Sequence, residues 1–457
     1  MILIEALTRH LANRVANIKY NDLPDKTIKM TKQYILDNLG NSIRGWTQKN
    51  MDIMFKTLNV SKDGTEALMF NGKKGATNSV LYSAMLNAAA SHSLDFDDLH
   101  NPSIIHMACV TVPSALAVAE DEEMSGKDIV AALVAGYEAG ARIGESVNPE
   151  AYYFWHTTST CGVFSSAVTV ANLKKFNTDQ MVQCLGTAGT QAAGLWEFVI
   201  DGAMSKTLHV GKANFAGILS AKLTENGFTA AEKILEGDKG FCRAMLANPH
   251  WEKLTEDIEG FKIDNNSYKP FACCKYTHPS SYAAQLLRNE HNLKLEDVEK
   301  ITIRSNRIVK QLVDNSHPKN PYGAKFSIQY CVSAMIKDGK LGIDQFTDEN
   351  LANDEIQRVM QNVEVIVDPK LDQEYTEKPD RWAVELTITG KDGQKYVKFV
   401  EYPKGDPPNP MTWDETVEKF MDLSVPVYGK EVCEKLCKLV ATLEEHDNFK
   451  KALAECF

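Results

Sequence analysis

LYSAMLNAAASHSLDFDDLHNPSIIH, residues 81–106, is the stretch that says most about how this chain folds. Its first ten residues are rich in alanine and carry no charge, a pattern that predicts a buried helix. The next sixteen residues contain three aspartates and three histidines. Acids are costly to bury without partners, so this cluster beside a core helix indicates either proton-transfer chemistry or a structural hydrogen-bond network.

Helical periodicity continues through the first 260 residues. Small residues recur within it, as in GTAGTQAAGL at 186–195, and they let helices pack closely. The sequence therefore predicts a large, tightly packed helical body. Its helices are predicted at 4–18, 25–45, 79–91, 109–122, 127–147, 160–174, 178–195, 208–226 and 229–236.

The pattern changes after residue 262. Alternating β-branched segments predict strands at 298–305 and 363–369 and a hairpin at 381–402 that turns at 391–393, with helices at 278–290, 326–338 and 347–361. After the proline-rich segment 404–410 helices resume, with Thr412 as the N-cap of a helix at 413–422 and a last helix near 428–456. We therefore predict a mainly α protein. A large all-helical domain spans 1–265 and 405–457, and a smaller α+β lid domain at 266–404 is inserted before the C-terminal helices.

Composition narrows the class of protein. A formal net charge of −11 over 457 residues argues against general nucleic-acid binding. The first fifteen residues, MILIEALTRHLANRV, include acidic and basic side chains and predict an amphipathic helix rather than a signal peptide. No run of 18 apolar residues predicts a membrane span. The ten cysteines are too sparse for a disulfide scaffold, so we expect a cytoplasmic protein with reduced thiols.

The acidic cluster offers several interpretations. Asp95 would share a helix face with His92 if the preceding helix continued. For Asp97 and Asp98, helix capping or a turn is the favoured structural interpretation. Histidine and aspartate are also metal ligands, but their spacing matches no standard set, so no metal site is predicted. His106 precedes a helix-like run, where a single histidine is more often a cap or a core residue.

Two segments further along the chain are candidate sites. His156 lies in AYYFWHTTSTCG (151–162), where aromatic and hydroxyl side chains could tune its pKa for acid–base catalysis. The alternative is a neutral imidazole buried in an aromatic cluster. Lys206 follows a glycine-containing turn at 201–205 and could bind a carboxylate together with helix N–H groups. The alternative is a solvated loop lysine.

The segment KPFACCKYTH (269–278) lies at the predicted domain boundary. Its lysines, thiols and histidine suit an anion-binding cleft, and the alternative is a solvated linker. Lys325 to Tyr330 is a weaker candidate that also fits the start of an amphipathic helix. The sequence contains no dinucleotide fingerprint, Walker loop or G-x-S-x-G elbow.

Taken together, several segments resemble the MmgE/PrpD family, which includes 2-methylcitrate dehydratases, cis-aconitate decarboxylases and iminodisuccinate epimerases. They are ILDNLGNSIRG (35–45), HSLDFDD (92–98), GYEAGARIG (136–144), HTTSTCGVF (156–164), LGTAGTQAAGL (185–195), KTLHVGKAN (206–214), LEGDKGF (235–241), KPFACCKYTH (269–278) and AKFSIQY (324–330). The resemblance covers nearly the whole chain. It implies a helical domain, an α+β lid, an active site between them, a homodimer, and no metal or organic cofactor.

The resemblance also implies which residues form the site. The positions that match the active site of the family's decarboxylases are Asp95, His106, His156, Lys206, Lys269 and Tyr330. Leu99 and Cys274 depart from that branch, which has threonine and histidine there. We predict catalytic roles for Asp95, His106, His156 and Tyr330, and substrate binding by Lys206, Lys269, Cys274 and His278.

The expected activity is that of a lyase without a cofactor, which abstracts a proton next to a carboxylate of a small di- or tricarboxylic acid. Cationic side chains would stabilise the carbanion or enolate that forms. Dehydration of a 2-methylcitrate- or citrate-type acid is the first expectation. The alternatives are an isomerase that epimerises an imino- or amino-dicarboxylate, a cis-aconitate-type decarboxylase, and a carboxylate-binding protein that is not an enzyme.

Overall fold

The computed structural model describes residues 6–58, 67–73, 77–198, 203–378 and 381–457. It is 60% helical with 8% strand, which confirms the prediction of a mainly α protein. The chain divides into two compact units. Unit 1 comprises Met1–Asn266 and Thr412–Phe457, and unit 2 comprises Ser267–Met411.

The N-terminal part of unit 1 is built from α-helices. They are α1 (Leu7–Ala16), α2 (Asp25–Gly45), α3 (Lys49–Leu58), α4 (Val80–His92), α5 (Ala108–Asp121), α6 (Gly126–Val147), α7 (Thr157–Thr160), α8 (Gly162–Leu173), α9 (Thr178–Gly189), α10 (Ser205–Glu225) and α11 (Phe241–Met245). Short 3-10 helices lie at Tyr20–Asp22, Glu150–Tyr153, Trp251–Leu254 and Lys262–Asn265. A two-residue antiparallel pair, β1 (Ala67–Leu68) with β2 (Thr77–Asn78), is an exception to the expected all-helical domain.

Small residues bring these helices close together, as the sequence predicted. Helix α6 packs along α8, and α10 packs against both α4 and α8. At Gly140 of α6, an added Cβ atom would lie 1.8 Å from Oγ of Ser165 on α8, so the close approach requires glycine. Helices α4, α5 and α10 are mutual neighbours in this packing.

Two helix predictions in the N-terminal part of unit 1 are wrong in detail. Residues 229–236 form turns rather than a helix. There the Leu235 amide donates to Thr8 Oγ1 at 3.1 Å, and the Thr8 amide donates to the Glu236 carboxylate at 3.1 Å, so contacts with α1 take the place of helical hydrogen bonds. The helix predicted at 178–195 ends at Gly189. The start of the helix predicted at 4–18 lies outside the described residues.

Unit 2 contains a four-stranded sheet of β3 (Val298–Ser305), β4 (Val363–Val367), β5 (Val384–Gly390) and β6 (Lys395–Val400), in the order β4-β3-β5-β6. Strands β3 and β4 are parallel, with Ile301 opposite Val363, and the other pairs are antiparallel. The predicted hairpin is confirmed, and Gly393 adopts the positive φ of 82° that its turn requires.

Helices connect and cover these strands. They are α12 (His278–His291), α13 (Arg307–Val313), α14 (Pro321–Ala324), α15 (Ile328–Asp338), α16 (Asp348–Leu351), α17 (Asp354–Met360) and α18 (Pro369–Glu377), with 3-10 helices at Lys275–Thr277, Leu295–Asp297 and Ile343–Gln345. Helix α12 packs on β5, β6 and α15. The parallel β3–β4 pair needs a crossover connection, which the helices from α13 to α17 provide.

The chain returns to unit 1 with α19 (Trp413–Tyr428), α20 (Lys430–Ala441) and α21 (Phe449–Ala454), and a 3-10 helix lies at Leu443–Glu445. Thr412 is the N-cap of α19, as predicted, because its Oγ1 accepts from the Glu415 amide and the Glu415 carboxylate accepts from the Thr412 amide. The single helix predicted at 428–456 is instead broken between α20 and α21. None of the helices within the described ranges combines the length and the apolar character needed to cross a membrane.

Candidate active site

The candidate site of unit 1 forms where α4 ends and α5 begins. His92 is the last residue of α4, and the chain then leaves the helical path through Asp95, whose φ is +55°. Asp95 therefore does not share a helix face with His92. Ile104 has φ +52°, an unusual conformation for a β-branched residue. Two such residues on one loop indicate that the surrounding contacts hold the loop in a specific shape.

Asp97 is the centre of a buried cluster of ionisable side chains. One carboxylate oxygen lies 2.7 Å from His92 Nδ1, and the other lies 3.3 Å from His106 Nδ1. Burial by itself would raise the pKa of Asp97, but the two imidazoles hold this pKa well below its usual range. The sequence favoured a structural role for Asp97, and the only signal for this contact was its position in HSLDFDD. Asp97 and its partner His92 are therefore residues that sequence reasoning did not assign to the site.

Two imidazoles contact this carboxylate, and a third, that of His156, stacks on His92. The ring centroid of His92 lies 4.7 Å from that of His106 and 5.6 Å from that of His156. Burial lowers the pKa of His92 to about 4, although Asp97 opposes this shift. The His106 side chain is 11% exposed, whereas that of His92 is fully buried. Of the two imidazoles that contact Asp97, that of His106 is therefore the more accessible to solvent.

His156 has an aromatic environment, as its sequence suggested. Its ring centroid lies 4.9 Å from that of Trp196, and its Nδ1 lies 3.3 Å from Nδ1 of His209 on α10. One of these two nitrogens must donate to the other, so the pair shares one proton along that contact. Burial lowers the pKa of His156 well below its usual value, and the neighbouring His92 adds to the effect. His156 is thus both part of an aromatic cluster and a neighbour of the Asp97 group.

Asp95 and Lys206 form an ion pair beside these imidazoles. Lys206 Nζ lies 3.0 Å from Asp95 Oδ1, and the two side chains are 16% and 10% exposed. Lys206 is in the first turn of α10 and largely buried, so the alternative of a solvated loop lysine is wrong. The glycine-containing turn predicted before it falls partly at 201–202, outside the described residues.

Asp98 has a structural role. Its carboxylate accepts from the Ala108 amide at 3.0 Å, from the Tyr137 hydroxyl at 2.9 Å and from the Asn266 side-chain amide at 2.7 Å. It therefore satisfies an amide at the start of α5 and joins this end to α6. Burial raises the pKa of Asp98 to about 7, and the charge of Asp97 adds to that shift.

His92, Asp97 and His106 are also a possible set of metal ligands, because one ligand atom of each lies within 4.8 Å of the others. Asp97 also pairs directly with His92 Nδ1 and His106 Nδ1, so the three side chains have contacts with one another that need no ion. The Lys206 ammonium further opposes a second cation here, since its charge is felt at His92.

The other four predicted site residues belong to unit 2. Lys269 and His278 are buried and Cys274 is half-buried, so the alternative of a solvated linker is wrong for this segment. His278 Nε2 lies 3.2 Å from the Cys273 carbonyl oxygen. Tyr330 is buried on α15, where its hydroxyl donates to the Gln345 carbonyl and its ring lies beside Phe346. Their roles toward a substrate remain predictions.

Comparison with known proteins covers both units. Residues 9–254 match the MmgE/PrpD N-terminal domain, and residues 271–445 match the MmgE/PrpD C-terminal domain. The chain is 24% identical to cis-aconitate decarboxylase of Aspergillus terreus over 468 residues, which covers 96% of this chain and 93% of that protein. It is also 24% identical to cis-aconitate decarboxylase of Homo sapiens over 460 residues, with 97% and 93% covered. The mitochondrial 2-methylcitrate dehydratase of Yarrowia lipolytica is 24% identical over 210 residues, 44% of this chain and 40% of that protein.

Proposed function

Because the chain belongs to the MmgE/PrpD family, we propose that it is a lyase acting on a small di- or tricarboxylic acid. The observation that carries this proposal is the group formed by Asp97, His92 and His106 beside the Asp95–Lys206 pair. In this group the Lys206 ammonium can bind a substrate carboxylate, and the buried Asp97 anion can stabilise the protonated form of the His106 imidazole. These are the two requirements for removing a proton next to a carboxylate.

Lys206 is the proposed carboxylate-binding group of unit 1. An ammonium has three donors, so Lys206 can hold Asp95 and a substrate carboxylate at the same time. Its largely buried position strengthens this interaction relative to one in water. The same charge stabilises the enolate that forms when the neighbouring carbon loses its proton.

His106 is the proposed base. When its imidazole takes the substrate proton, the anionic Asp97 stabilises the imidazolium and fixes the orientation of the ring, as a carboxylate does in hydrolase triads. The low pKa of His156 keeps that imidazole neutral near pH 7, so it is available as a second proton-transfer group. In dehydration the β-hydroxyl leaves with a proton as water, and in decarboxylation carbon dioxide leaves and the carbanion takes a proton.

Two lyase reactions have support of different kinds. Dehydration of a citrate-type acid is favoured by Leu99 and Cys274, which depart from the decarboxylase pattern at two site positions. Decarboxylation of a cis-aconitate-type acid is favoured by the relatives that match nearly the whole chain. We propose dehydration first because reaction type depends on site residues more directly than on the length of an alignment.

Separate incubations with citrate, 2-methylcitrate, cis-aconitate and a dicarboxylic amino acid in deuterated water, followed by NMR, test the proposal. Dehydration yields an alkene, and decarboxylation releases carbon dioxide and incorporates deuterium from the solvent in its place. Deuterium exchange at the α-carbon of a dicarboxylic amino acid, without loss of water or carbon dioxide, would instead establish the isomerase. Ligand-induced thermal stabilisation without turnover across the panel would establish a binding protein and contradict a lyase.

The variant His106→Gln should lower kcat by roughly 10²–10⁴-fold, because it removes the base and leaves the helix start in place. His250→Gln is the matched control, since His250 is a partly exposed histidine whose Nε2 lies 3.4 Å from the surface Glu150. Equal activity of both variants would remove His106 from the mechanism.

Lys269, Cys274, His278 and Tyr330 are proposed to contribute from unit 2. Lys269→Ala should raise KM for the substrate by roughly tenfold or more if its ammonium binds a carboxylate. The exposed Lys340 provides the control variant Lys340→Ala. A homodimer and a cytoplasmic location are also part of the proposal, and light scattering tests the first of these.

A further inference from the structure

Lys419 is a buried cation in the C-terminal helix α19, far along the chain from the candidate site. Its side chain is 6% exposed. A buried ammonium needs close partners, since its desolvation is costly. Lys419 Nζ lies 2.6 Å from Asp37 Oδ1 and donates to the Phe96 carbonyl oxygen at 2.7 Å. It also lies 3.8 Å from the centroid of the Phe96 ring.

Phe96 is the residue between Asp95 and Asp97. The two aspartates on either side of it point to different partners, one to Lys206 and the other to the imidazoles. Lys419 contacts both the backbone and the ring of Phe96, and Asn41 donates to the same carbonyl at 3.4 Å. The Phe96 carbonyl oxygen therefore accepts hydrogen bonds from two side chains.

Asp37 completes the arrangement on α2. Its carboxylate accepts from Asn41 at 3.1 Å and neutralises Lys419. Burial raises the pKa of Asp37, and the Lys419 ammonium opposes that shift. The charged pair joins α2 and α19 to the loop.

We propose that Lys419 is a positioning residue, which fixes the positions of Asp95 and Asp97 through its contacts with the carbonyl and the ring of Phe96. This inference rests on the proposed function, since it assigns Lys419 to the same proton-transfer site. Lys419 acts from behind the loop and does not touch the substrate. A displacement of the reacting groups by about 1 Å can lower a rate by roughly 10²-fold, so loss of these contacts has a measurable effect on turnover.

The test compares Lys419→Met, Lys419→Arg and the double variant Asp37→Asn with Lys419→Met. The double variant leaves no unpaired buried charge, so it keeps the test valid if Lys419→Met alone does not fold. We expect kcat to fall by roughly 10–100-fold in the double variant with KM changed less than about threefold, and partial recovery in Lys419→Arg. Lys430→Met is the control, because Lys430 is an exposed lysine on the neighbouring helix.

The pH dependence of kcat/KM separates positioning from general stability. If Asp97 moves relative to His106, the limb that reports the imidazole shifts by roughly half a pH unit or more, whereas a smaller folded fraction lowers all points equally. A folded double variant with unchanged kcat and pH profile overturns the inference. If the wild type turns over no carboxylic acid, the proposed function fails by itself. Histidine NMR of the wild type and the double variant then decides the inference, and unchanged resonances of His92 and His106 overturn it.

Discussion

At the level of single residues, Asp95, Asp97 and Asp98 share one short loop but meet different partners. Asp95 pairs with Lys206, Asp97 joins two imidazoles, and Asp98 accepts from backbone and side-chain donors of neighbouring elements. All three are aspartates within four positions of the sequence, so the residue type does not distinguish their roles. The left-handed conformation of Asp95 contributes to the direction that each following side chain takes. Their functions can therefore be separated by experiment.

Asp97→Asn keeps the size of the side chain and removes its charge. We expect kcat to fall by roughly 10²–10⁴-fold because the imidazolium of His106 loses its counter-ion and the imidazoles lose their fixed tautomers. A steady-state assay measures kcat, and circular dichroism shows whether the variant is folded. Asp98→Ala is the contrast, with a loss of roughly 1–3 kcal/mol in the free energy of unfolding and a much smaller change in kcat. The reverse pattern would exchange the two roles.

His156→Gln tests the third imidazole. Its contact with His209 and its neighbouring ring, His92, place it where it can exchange a proton within the group. We expect kcat to fall by roughly 10²–10⁴-fold with the fold retained, as far-UV circular dichroism would report. An unchanged kcat in a folded variant would leave His156 with a packing role only, and His250→Gln again serves as the control.

At the level of elements, the site depends on how closely the helices of unit 1 approach. Helix α4 carries His92 at its end and lies against α2, α5 and α10. Its small residues are buried, so a shift of α2 or α10 would move the end of α4. At Gly45, the last residue of α2, the backbones of α2 and α4 lie too close together for a side chain.

Gly45→Ala should destabilise the protein. An added Cβ atom would lie 1.8 Å from the Ala90 carbonyl oxygen of α4, so the backbones of two helices would have to separate. Overpacking of this kind costs roughly 1–3 kcal/mol or more, which urea unfolding would measure. Gly323→Ala is a control because its Cβ atom would have only ordinary contacts, the nearest at 3.5 Å. Equal stability of the two variants would contradict the close contact between α2 and α4.

At the level of the whole molecule, buried imidazoles make stability depend on pH. Burial lowers the pKa of His100 to about 3, with Lys262 adding to the shift, and burial also lowers that of His92 to about 4. In the unfolded chain both would titrate near their usual pKa of 6.5. Between these values the unfolded state binds more protons, so acidification favours unfolding. Asp98 acts in the opposite direction, because its raised pKa of about 7 gives stability that is lost as the pH rises through that value.

The contribution of each of these two imidazoles to the free energy of unfolding should therefore fall as the pH is lowered from 6.5 to 4.5. Each imidazole that stays neutral in the folded state contributes about 1.4 kcal/mol per pH unit to the slope. His100 lies outside the proposed proton-transfer group and contacts Ser103. The variant His100→Asn should show a fall that is shallower by one proton, measured by urea unfolding at several pH values. Parallel curves for the variant and the wild type would show that His100 does not titrate on unfolding.

Much of the helical body could be predicted from periodicity alone. Helix α2 has the predicted bounds, β3 lies where alternation placed it, and Thr412 caps α19. These features depend on neighbours within one element, so local chemistry decides them. The turns at 229–236 were predicted as helix because their competing hydrogen bonds come from α1.

The candidate site was predictable in part. Motif resemblance identified Asp95, His106, His156 and Lys206, and the structure brings these four together in unit 1. It could not identify Asp97 as the carboxylate that joins two imidazoles, because Asp98 next to it has the same chemistry.

Residue order alone specifies most of the helices and strands, the acidic and histidine-rich loop and the family, because each is written in short-range patterns of side-chain type. Only the tertiary structure decides which partners Asp97 and Asp98 have, and that Lys419 contacts Phe96. The last of these contacts joins residues 323 positions apart, and such pairing follows from helix packing and from the need to satisfy buried charges.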